Sequence, residues 1–137
     1  MLTRLTAMIC AAFPALAHAD RAGAPIPTDA QPIQRDTLDL LRWQARPVVV
    51  LGQGAATAAQ LTALQGRMDD LAERDVVLLT DGPGARALRD TVGDGFAVLL
   101  IGKDGGVKLR RQTPVDPDEI IGLIDTMPMR QREARED

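Results

Sequence analysis

The fold of this chain is decided by residues 48–79, which open with Val48-Val49-Val50-Leu51, turn at Gly52-Gln53-Gly54 and end with Val76-Val77-Leu78-Leu79. Both apolar runs are short and rich in β-branched side chains, which is typical of strands buried on both faces. Between them lie apolar residues at helical spacing: Leu61, Leu64, Met68 and Leu71. A strand, a helix and a strand within about thirty residues predict a right-handed βαβ unit with parallel strands.

Polar residues mark the expected starts of two helices in the first half of the chain. Thr57 and Gln60 have the spacing of a capping box, in which the two side chains bond reciprocally to backbone N–H groups of the first turn. Asp36 is expected to cap a shorter helix over residues 37–45. In that helix, the ring of Trp43 is expected to pack over the edge of the core.

A β-hairpin is predicted in the second half. Phe96-Ala97-Val98-Leu99-Leu100-Ile101 is a long apolar run and is predicted to be the central strand. Asp104-Gly105 is a strong hairpin signal. The residues that follow alternate in polarity, so the strand is expected to turn one face inward with Val107 and Leu109 and the other to water with Lys108 and Arg110.

The last helix has three start signals in a row: Asp116 as the N-cap, Pro117 at the first helical position and Glu119 at the third. Its buried stripe is predicted to consist of Ile120, Ile121, Ile124 and Met127. Pro128 is expected to end the helix, with Met127 as a plug at the end of the core.

The order of these elements predicts an α/β fold in three layers, with a mixed sheet of about four strands, in the arrangement of a thioredoxin-like domain. Such a domain keeps its redox cysteines where the first strand meets the first helix, because a helix N-terminus stabilises a thiolate. In this chain the junction reads Gly52-Gln53-Gly54-Ala55-Ala56-Thr57 and contains no sulfur. The sequence therefore argues against thiol redox chemistry at the usual place.

The N-terminus has the features of a secretory signal peptide. A short basic start and an apolar run lead to Ala17-His18-Ala19, which has the small residues of a cleavage site. The one cysteine and the one histidine of the chain, Cys10 and His18, fall inside residues 1–19. Cleavage after Ala19 would leave a periplasmic or secreted chain with neither thiol nor imidazole, which closes most nucleophile and general-base mechanisms.

The remaining chain is predicted to have three parts: a flexible leader at residues 20–35, the folded domain at residues 36–129 and a charged tail at residues 130–137. The 137 residues carry a net charge of -3 and are 2% aromatic, so the sequence favours no nucleic-acid partner. After residue 19, no run approaches the roughly 18 apolar residues of a membrane span. No cofactor and no metal ion are predicted.

A resemblance to a known family is carried by residues 101–110 and 124–133, together with Leu41-Arg42-Trp43 and Glu73-Arg74-Asp75. Its signature residues are Trp43, Gly102, Lys103, Asp104, Gly105, Gly106, Met127, Pro128, Met129 and Arg130. In this pattern the chain resembles a bacterial family called domain of unknown function 4174. The resemblance implies a thioredoxin-like or peroxiredoxin-like fold, usually exported, and a relation to a domain of vertebrate matrix proteins of the equarin type. The family has no established activity, so the resemblance implies a fold and not a reaction.

Two groups of residues are candidate contacts. The first group lies at a helix start, where backbone amides are suited to a small anion; it consists of Gln53, Gly54 and Thr57. The second group is cationic and consists of Lys103, Lys108, Arg110 and Arg111. On an edge strand such charges prevent pairing with another chain, and they are also suited to docking an acidic partner or an anionic surface polymer.

These observations favour an exported, non-catalytic thioredoxin-like domain that binds a partner protein or an anionic ligand. The partner is expected to be an exported protein or an anionic polymer. One alternative is an enzyme of this fold that acts through carboxylates, lysine or a bound cofactor; it would gather Asp81, Gln53 and Thr57 in one concave site with a shifted carboxylate pKa. The other alternative is a purely structural module.

Overall fold

The computed structural model describes residues 30–136. The predicted signal peptide, with Cys10 and His18, and residues 20–29 of the predicted leader lie outside the described residues. Between residues 30 and 136, none of the helices combines the length and apolar character that a membrane crossing requires.

The strands of the described part are β1 (Gln31–Pro32), β2 (Arg46–Leu51), β3 (Val76–Thr80), β4 (Ala97–Ile101) and β5 (Val107–Arg111). The α-helices are α1 (Thr37–Leu41), α2 (Ala55–Gln65), α3 (Met68–Glu73), α4 (Arg86–Val92), α5 (Pro117–Asp125) and α6 (Pro128–Glu136). A short 3₁₀ turn, Pro83–Ala85, precedes α4.

Within residues 30–136 the strands form one sheet in the order β1-β3-β2-β4-β5. β2 and β3 are parallel, which confirms the predicted βαβ unit. β4 runs antiparallel to β2 and forms the predicted hairpin with β5. β2 is the middle strand, and β4, which the sequence predicts to be central, lies one place nearer the edge because β1 extends the sheet on the opposite side.

Helices cover both faces of the sheet. Val48 and Val50 pack on the face that α2, α3 and α5 cover, whereas Val49 and Leu51 pack on the face that α1 and α4 cover. Neighbouring strand residues point to opposite faces, as the two-residue period of a β-strand requires. The predicted three-layer α/β architecture is confirmed, with a sheet of five strands.

The fold begins earlier in the chain than its composition predicts. Gln31–Pro32 pairs with β3, and Ile33 is 0% exposed in the core. The Ile33 N–H donates to Thr80 O at 3.0 Å, and Ile33 O accepts from the Gly84 N–H at 3.0 Å. Proline and polar residues predict a flexible leader as far as residue 35, but pairing with β3 and burial of one isoleucine override that composition.

The predicted capping box at the start of α2 is wrong. α2 begins at Ala55, and Gly54 is its N-cap residue with a φ of +104°, a conformation that favours glycine. Thr57 therefore lies within the first turn. Gln60 instead reaches Val115: its Nε2 donates to Val115 O at 2.8 Å, and its Oε1 accepts from the Val115 N–H at 2.7 Å. The side chain thus ties α2 to the loop before α5.

The bounds of α1 also differ from the prediction. Asp36 accepts no capping hydrogen bond, and α1 ends at Leu41 because the chain leaves helical geometry there. Trp43 has a φ of +66° and is 57% exposed, so its ring does not pack over the core. The Trp43 N–H donates to Lys103 O at 2.7 Å, which holds the backbone in this unfavourable conformation.

A β-bulge interrupts the predicted alternation of β5. Leu109 pairs with Leu100, whereas Val107 pairs with Ile101, so Lys108 is the extra residue. Leu100 and Ile101 are neighbours on opposite faces of β4, which places Val107 and Leu109 on opposite faces as well. The prediction that Val107 and Leu109 share one face of β5 is therefore wrong. The prediction that Lys108 and Arg110 share the other face is wrong as well.

The C-terminal region contains one helix more than the sequence predicts. The N-cap at Asp116 is confirmed, since its Oδ1 accepts from the Asp118 N–H at 2.9 Å. Pro128 does not end α5; it begins α6, at the first helical position, where a missing N–H costs nothing. α6 continues to Glu136 and so includes most of the predicted charged tail. Arg130, in its first turn, is buried.

Candidate functional site

The two candidate sites lie at opposite ends of β2. β2 has 6 residues, and a strand of that length spans roughly 20 Å. We call the junction Gly52-Gln53-Gly54, where β2 meets α2, the α2 end. We call the opposite end the turn end, because Arg46 lies there beside residues 102–106, which form the hairpin turn between β4 and β5.

At the α2 end, the carboxylate of Asp81 is held between two donors. The Gly52 N–H donates to Asp81 Oδ2 at 3.0 Å, and Arg89 Nη2 donates to the same oxygen at 2.6 Å. Arg89 Nη1 also donates to Gly93 O and Gly95 O. Burial disfavours ionisation of Asp81, but Arg89 and the Gly52 N–H outweigh it and lower the pKa of this carboxyl. Asp81 is therefore ionised at neutral pH and is not a proton donor.

The residues predicted to hold an anion at the α2 end differ in exposure. Gln53 and Gly54 are exposed, whereas Thr57 is 8% exposed. Within residues 30–136, Thr57 Oγ1 has no hydrogen-bond partner. A Cβ atom on Gly52 would lie 3.2 Å from Thr57 Oγ1, so glycine is needed for this close approach.

At the turn end, four charged side chains form a network that we call the clamp: Arg46, Asp75, Lys103 and Glu133. Arg46 is 1% exposed, and its Nη1 and Nη2 donate to Glu133 Oε2 and Oε1 at 3.1 and 3.3 Å. Lys103 Nζ donates to Glu133 Oε1 at 2.6 Å and to Asp75 Oδ2 at 2.7 Å. Because Glu133 belongs to α6 and Arg46 begins β2, the clamp fixes α6 to the sheet.

Glu133 is the acceptor shared by both cations of the clamp. Burial raises the pKa of its carboxyl, but the hydrogen bonds from Arg46 and Lys103 outweigh burial and hold the pKa below its usual 4.5. Arg46 Nη1 also donates to Arg74 O at 2.9 Å. Arg46 Nε is buried and has no hydrogen-bond partner within residues 30–136. The network therefore depends on Glu133 staying ionised.

Beside the clamp lies an open groove of about 230 Å³, which we call the methionine groove. Its lining combines apolar and charged side chains: Met127, Met129, Lys103, Asp104, Lys108 and Arg132. The bulge in β5 brings Lys108 here, and its Nζ donates to Asp104 Oδ2 at 3.0 Å. Arg132 is exposed and has no carboxylate within ion-pair distance in the described part of the chain.

A second hollow, of about 250 Å³, lies against the same hairpin turn. It is lined by residues of α1 and the segment after it, including Leu41 and Arg42, and it shares Gly102 with the methionine groove. Arg42 Nε donates to Asp104 O at 3.1 Å, and the guanidinium carbon of Arg42 lies 5.9 Å from the centre of the Trp43 ring. The hairpin turn is thus held from the α1 side as well as by the clamp.

The predicted cationic set does not form one patch. Lys103 belongs to the clamp, and Lys108 lines the methionine groove. Arg110 and Arg111 line a different hollow beside α4, and Arg111 Nη2 donates to Glu119 Oε1 at 2.6 Å. The bulge separates residues that the sequence places together, because it breaks the alternation of β5.

Sequence reasoning does not identify most of the turn end as a site: it does not single out Arg46, and Asp75, Arg132 and Glu133 enter only through the family resemblance. One signal is present for Arg46, since it lies two positions before the apolar run of residues 48–51, and a charged residue at the start of a buried strand is rarely buried without a partner. The partner itself left no local signal, because Glu133 is 87 positions away in the chain. Only the fold shows that the two side chains meet.

The residues that carry the family resemblance gather at the turn end. Trp43 bonds to Lys103 through its backbone, and residues 102–106 form the hairpin turn. Met127, Pro128 and Met129 line the groove, and Arg130 lies in the first turn of α6. Three segments that are distant in the sequence thus meet around one turn.

Comparisons with known proteins agree with this fold. Residues 85–133 match the family model described as "Domain of unknown function (DUF4174)". Among solved structures, the chain is similar to thioredoxin peroxidase I of Plasmodium yoelii, with 17% identity and a TM-score of 0.54 over 73% of this chain and 81% of that chain. It is equally similar, over 73% and 82%, to Plasmodium yoelii Prx1a modified at the N-terminus, which forms an artifactual octamer.

A search of the curated proteins found no match. At 17% identity, the likeness to the two Plasmodium yoelii proteins concerns the fold alone. The family model covers the hairpin turn and the start of α6, where most of the resemblance lies. The chain therefore has a thioredoxin-like fold, and its residues 85–133 are similar to DUF4174, the family that the sequence resembles.

Proposed function

We propose that this chain is an exported, non-catalytic thioredoxin-like domain that binds a partner protein at the turn end. The observation that carries the proposal is the contrast between the two ends of β2. At the α2 end, Asp81 and Arg89 bond to each other and to the loop backbone. At the turn end, the clamp stands beside an open groove.

The α2 end lacks the group that thiol chemistry requires. A thiolate is the nucleophile of disulfide exchange and the group that peroxide oxidises. The one cysteine of the chain is Cys10, and the junction of β2 with α2 carries only glycine, glutamine, alanine and threonine. The likeness to a thioredoxin peroxidase therefore supports a common fold for this chain and not a common reaction.

The turn end has the properties of a recognition surface. The clamp holds α6 against the sheet, so the backbone around the methionine groove loses little conformational entropy when a partner binds. Met127 and Met129 offer apolar contacts that adapt to the partner. Lys108 and Arg132 offer positive charges that attract an acidic partner and disfavour a basic one.

Affinity capture from the exported fraction tests binding. The baits are the full chain, the groove variant Lys108→Glu with Arg132→Glu, and a control variant, Arg35→Glu with Arg86→Glu. The control changes the net charge equally at exposed residues that line a different hollow. We expect the first and third baits to retain a protein that the groove variant loses. Equal capture by all three baits contradicts the proposal and favours a purely structural module.

Activity assays test the non-catalytic part of the proposal. The purified chain is incubated with insulin and dithiothreitol, and separately with peroxide and a thiol donor. We expect no turnover above that of the denatured chain, because the α2 end carries no thiol. Reproducible turnover that disappears on denaturation would support the enzyme alternative.

Mass spectrometry of the chain recovered from the periplasmic fraction tests export. The expected species begins at Asp20, after cleavage behind Ala19. Recovery of the uncleaved chain from the cytoplasmic fraction alone contradicts export and leaves the proposed binding to be tested separately.

A further inference from the structure

The methionine groove has room for one large apolar side chain. A protein cavity of roughly 150 Å³ holds a benzene molecule, and the groove measures about 230 Å³. Met127, Pro128 and Met129 supply apolar atoms along its wall. Because methionine side chains are unbranched and flexible, this wall can adapt to leucine, methionine or phenylalanine.

The charges around the groove favour an acidic ligand. The deeper cations, Arg46 and Lys103, are already matched inside the clamp. At the rim, Lys108 pairs with Asp104, but both side chains are exposed, and such a pair is weak enough to exchange for another carboxylate. Arg132 has no ion pair within residues 30–136. The rim therefore carries more positive than negative charge next to apolar surface.

The same arrangement distinguishes a peptide from an anionic polymer. The whole chain has a net charge of -3, so attraction of anions is local to this rim and not a property of the whole molecule. A polyanion would satisfy Lys108 and Arg132, but it would leave the apolar wall of the groove exposed to water. A protein segment satisfies both.

We infer that the methionine groove recognises an acidic peptide segment in which one large apolar side chain is flanked by Asp or Glu. The inference rests on the proposed function and names the chemistry of its partner. The apolar side chain fills the space beside Met127 and Met129, and the flanking carboxylates bind Lys108 and Arg132.

Fluorescence anisotropy with a labelled peptide, Gly-Glu-Glu-Leu-Glu-Glu-Gly, tests the inference on the full chain. Two comparison peptides carry glycine in place of leucine, or glutamine in place of every glutamate. We expect both comparison peptides to bind at least about tenfold more weakly, since each loses one part of the recognition. The groove variant Lys108→Glu with Arg132→Glu is expected to lose binding, whereas Arg35→Glu with Arg86→Glu keeps it.

A conservative variant separates recognition from folding. Met129→Gln keeps the length of a half-buried side chain and makes it polar, so it should reduce the preference for leucine over glycine while leaving the melting temperature unchanged. Equal binding of the leucine and glycine peptides, or equal binding of dextran sulfate, means that the groove reads charge alone and overturns the inference.

The outcome of the peptide experiment can be told apart from that of partner capture. If no peptide binds but a captured protein still depends on Lys108 and Arg132, the inference fails and the proposed function stands. If capture is also independent of these two residues, both fail.

Discussion

Arg46 and Glu133, which are 87 positions apart in the chain, form a bidentate ion pair, and Arg46 is 1% exposed. Lys103 bonds to the same carboxylate at 2.6 Å. Through this one side chain, α6 is joined to the start of β2 and to the hairpin turn. The shape of the methionine groove therefore depends on Glu133.

Removing the carboxylate of Glu133 should destabilise the fold strongly. Glu133→Ala leaves the buried guanidinium of Arg46 without its counter-charge, and breaking a buried pair from one side costs about 3 kcal/mol or more. Urea denaturation measures the loss. Glu136→Ala, an exposed position on the same helix, is the control and should change stability by no more than about 0.5 kcal/mol. Equal effects of the two variants would show that the clamp contributes nothing.

Acid should weaken the clamp. The pKa of Glu133 is lowered in the folded chain, so its contribution is fully present above the usual value of 4.5 and is lost as the pH falls through the lower, folded value. The sign follows because the unfolded chain takes up the proton first. Between neutral pH and about pH 3, the free energy of unfolding should therefore fall less steeply for Glu133→Gln than for the unchanged chain. Parallel curves for the two proteins contradict this prediction.

Asp81, at the other end of β2, should also contribute stability that is lost at low pH. Its pKa is lowered despite burial, because Arg89 and the Gly52 N–H favour the ionised form. Asp81→Asn should cost about 1–3 kcal/mol at neutral pH, since Arg89 is left partly buried without its counter-charge. Hydrogen exchange of residues 52–57 and 93–95 should quicken in this variant. Unchanged exchange there means that the ion pair does not hold the loop.

The two hydrogen bonds between the Gln60 side chain and the Val115 backbone are predicted to contribute strongly to stability. Gln60→Leu keeps the size of the side chain but leaves the Val115 N–H and C=O without partners, which should cost about 2 kcal/mol or more. Gln65→Leu changes an exposed residue of the same helix and should change stability little. Denaturation of both variants tests the difference, and similar stabilities would refute the contact.

Two glycines should respond oppositely to alanine. A Cβ atom on Gly84 would lie 1.9 Å from Gln34 O, so Gly84→Ala must push the β1 segment away and should cost about 1–3 kcal/mol. A Cβ atom on Gly122, inside α5, meets nothing within 4 Å, so Gly122→Ala should stabilise by about 0.5–1 kcal/mol. Thermal melting distinguishes the signs. A melting temperature of Gly84→Ala that is unchanged or raised contradicts the packing of the β1 segment, and a lowered one for Gly122→Ala contradicts the open space at α5.

The sequence predicts the elements whose signals are local. The two runs around residues 48–79 give the βαβ unit, Asp104-Gly105 gives the hairpin, and Asp116 with Pro117 gives the start of α5. Each of these depends on neighbouring residues only, which is why one sequence suffices for them.

What escapes prediction depends on contacts between distant segments. β1 has 2 residues and exists because β3 offers an edge for pairing. The bulge at Lys108 cannot be predicted from the sequence, because residues 107–110 alternate regularly between apolar and charged side chains. The clamp joins residues from four separate segments. For the same reason the sequence places Lys103, Lys108, Arg110 and Arg111 together, whereas the fold distributes them over the clamp and two different hollows.

Hydrogen exchange of the complex with the captured partner tests the central claim most directly, because it locates the binding surface without any substitution. If the turn end is the recognition site, partner binding should slow exchange in residues 102–108 and 127–132 and leave residues 52–57 unchanged. Protection confined to residues 52–57 and 93–96 would place the function at the α2 end and contradict the account.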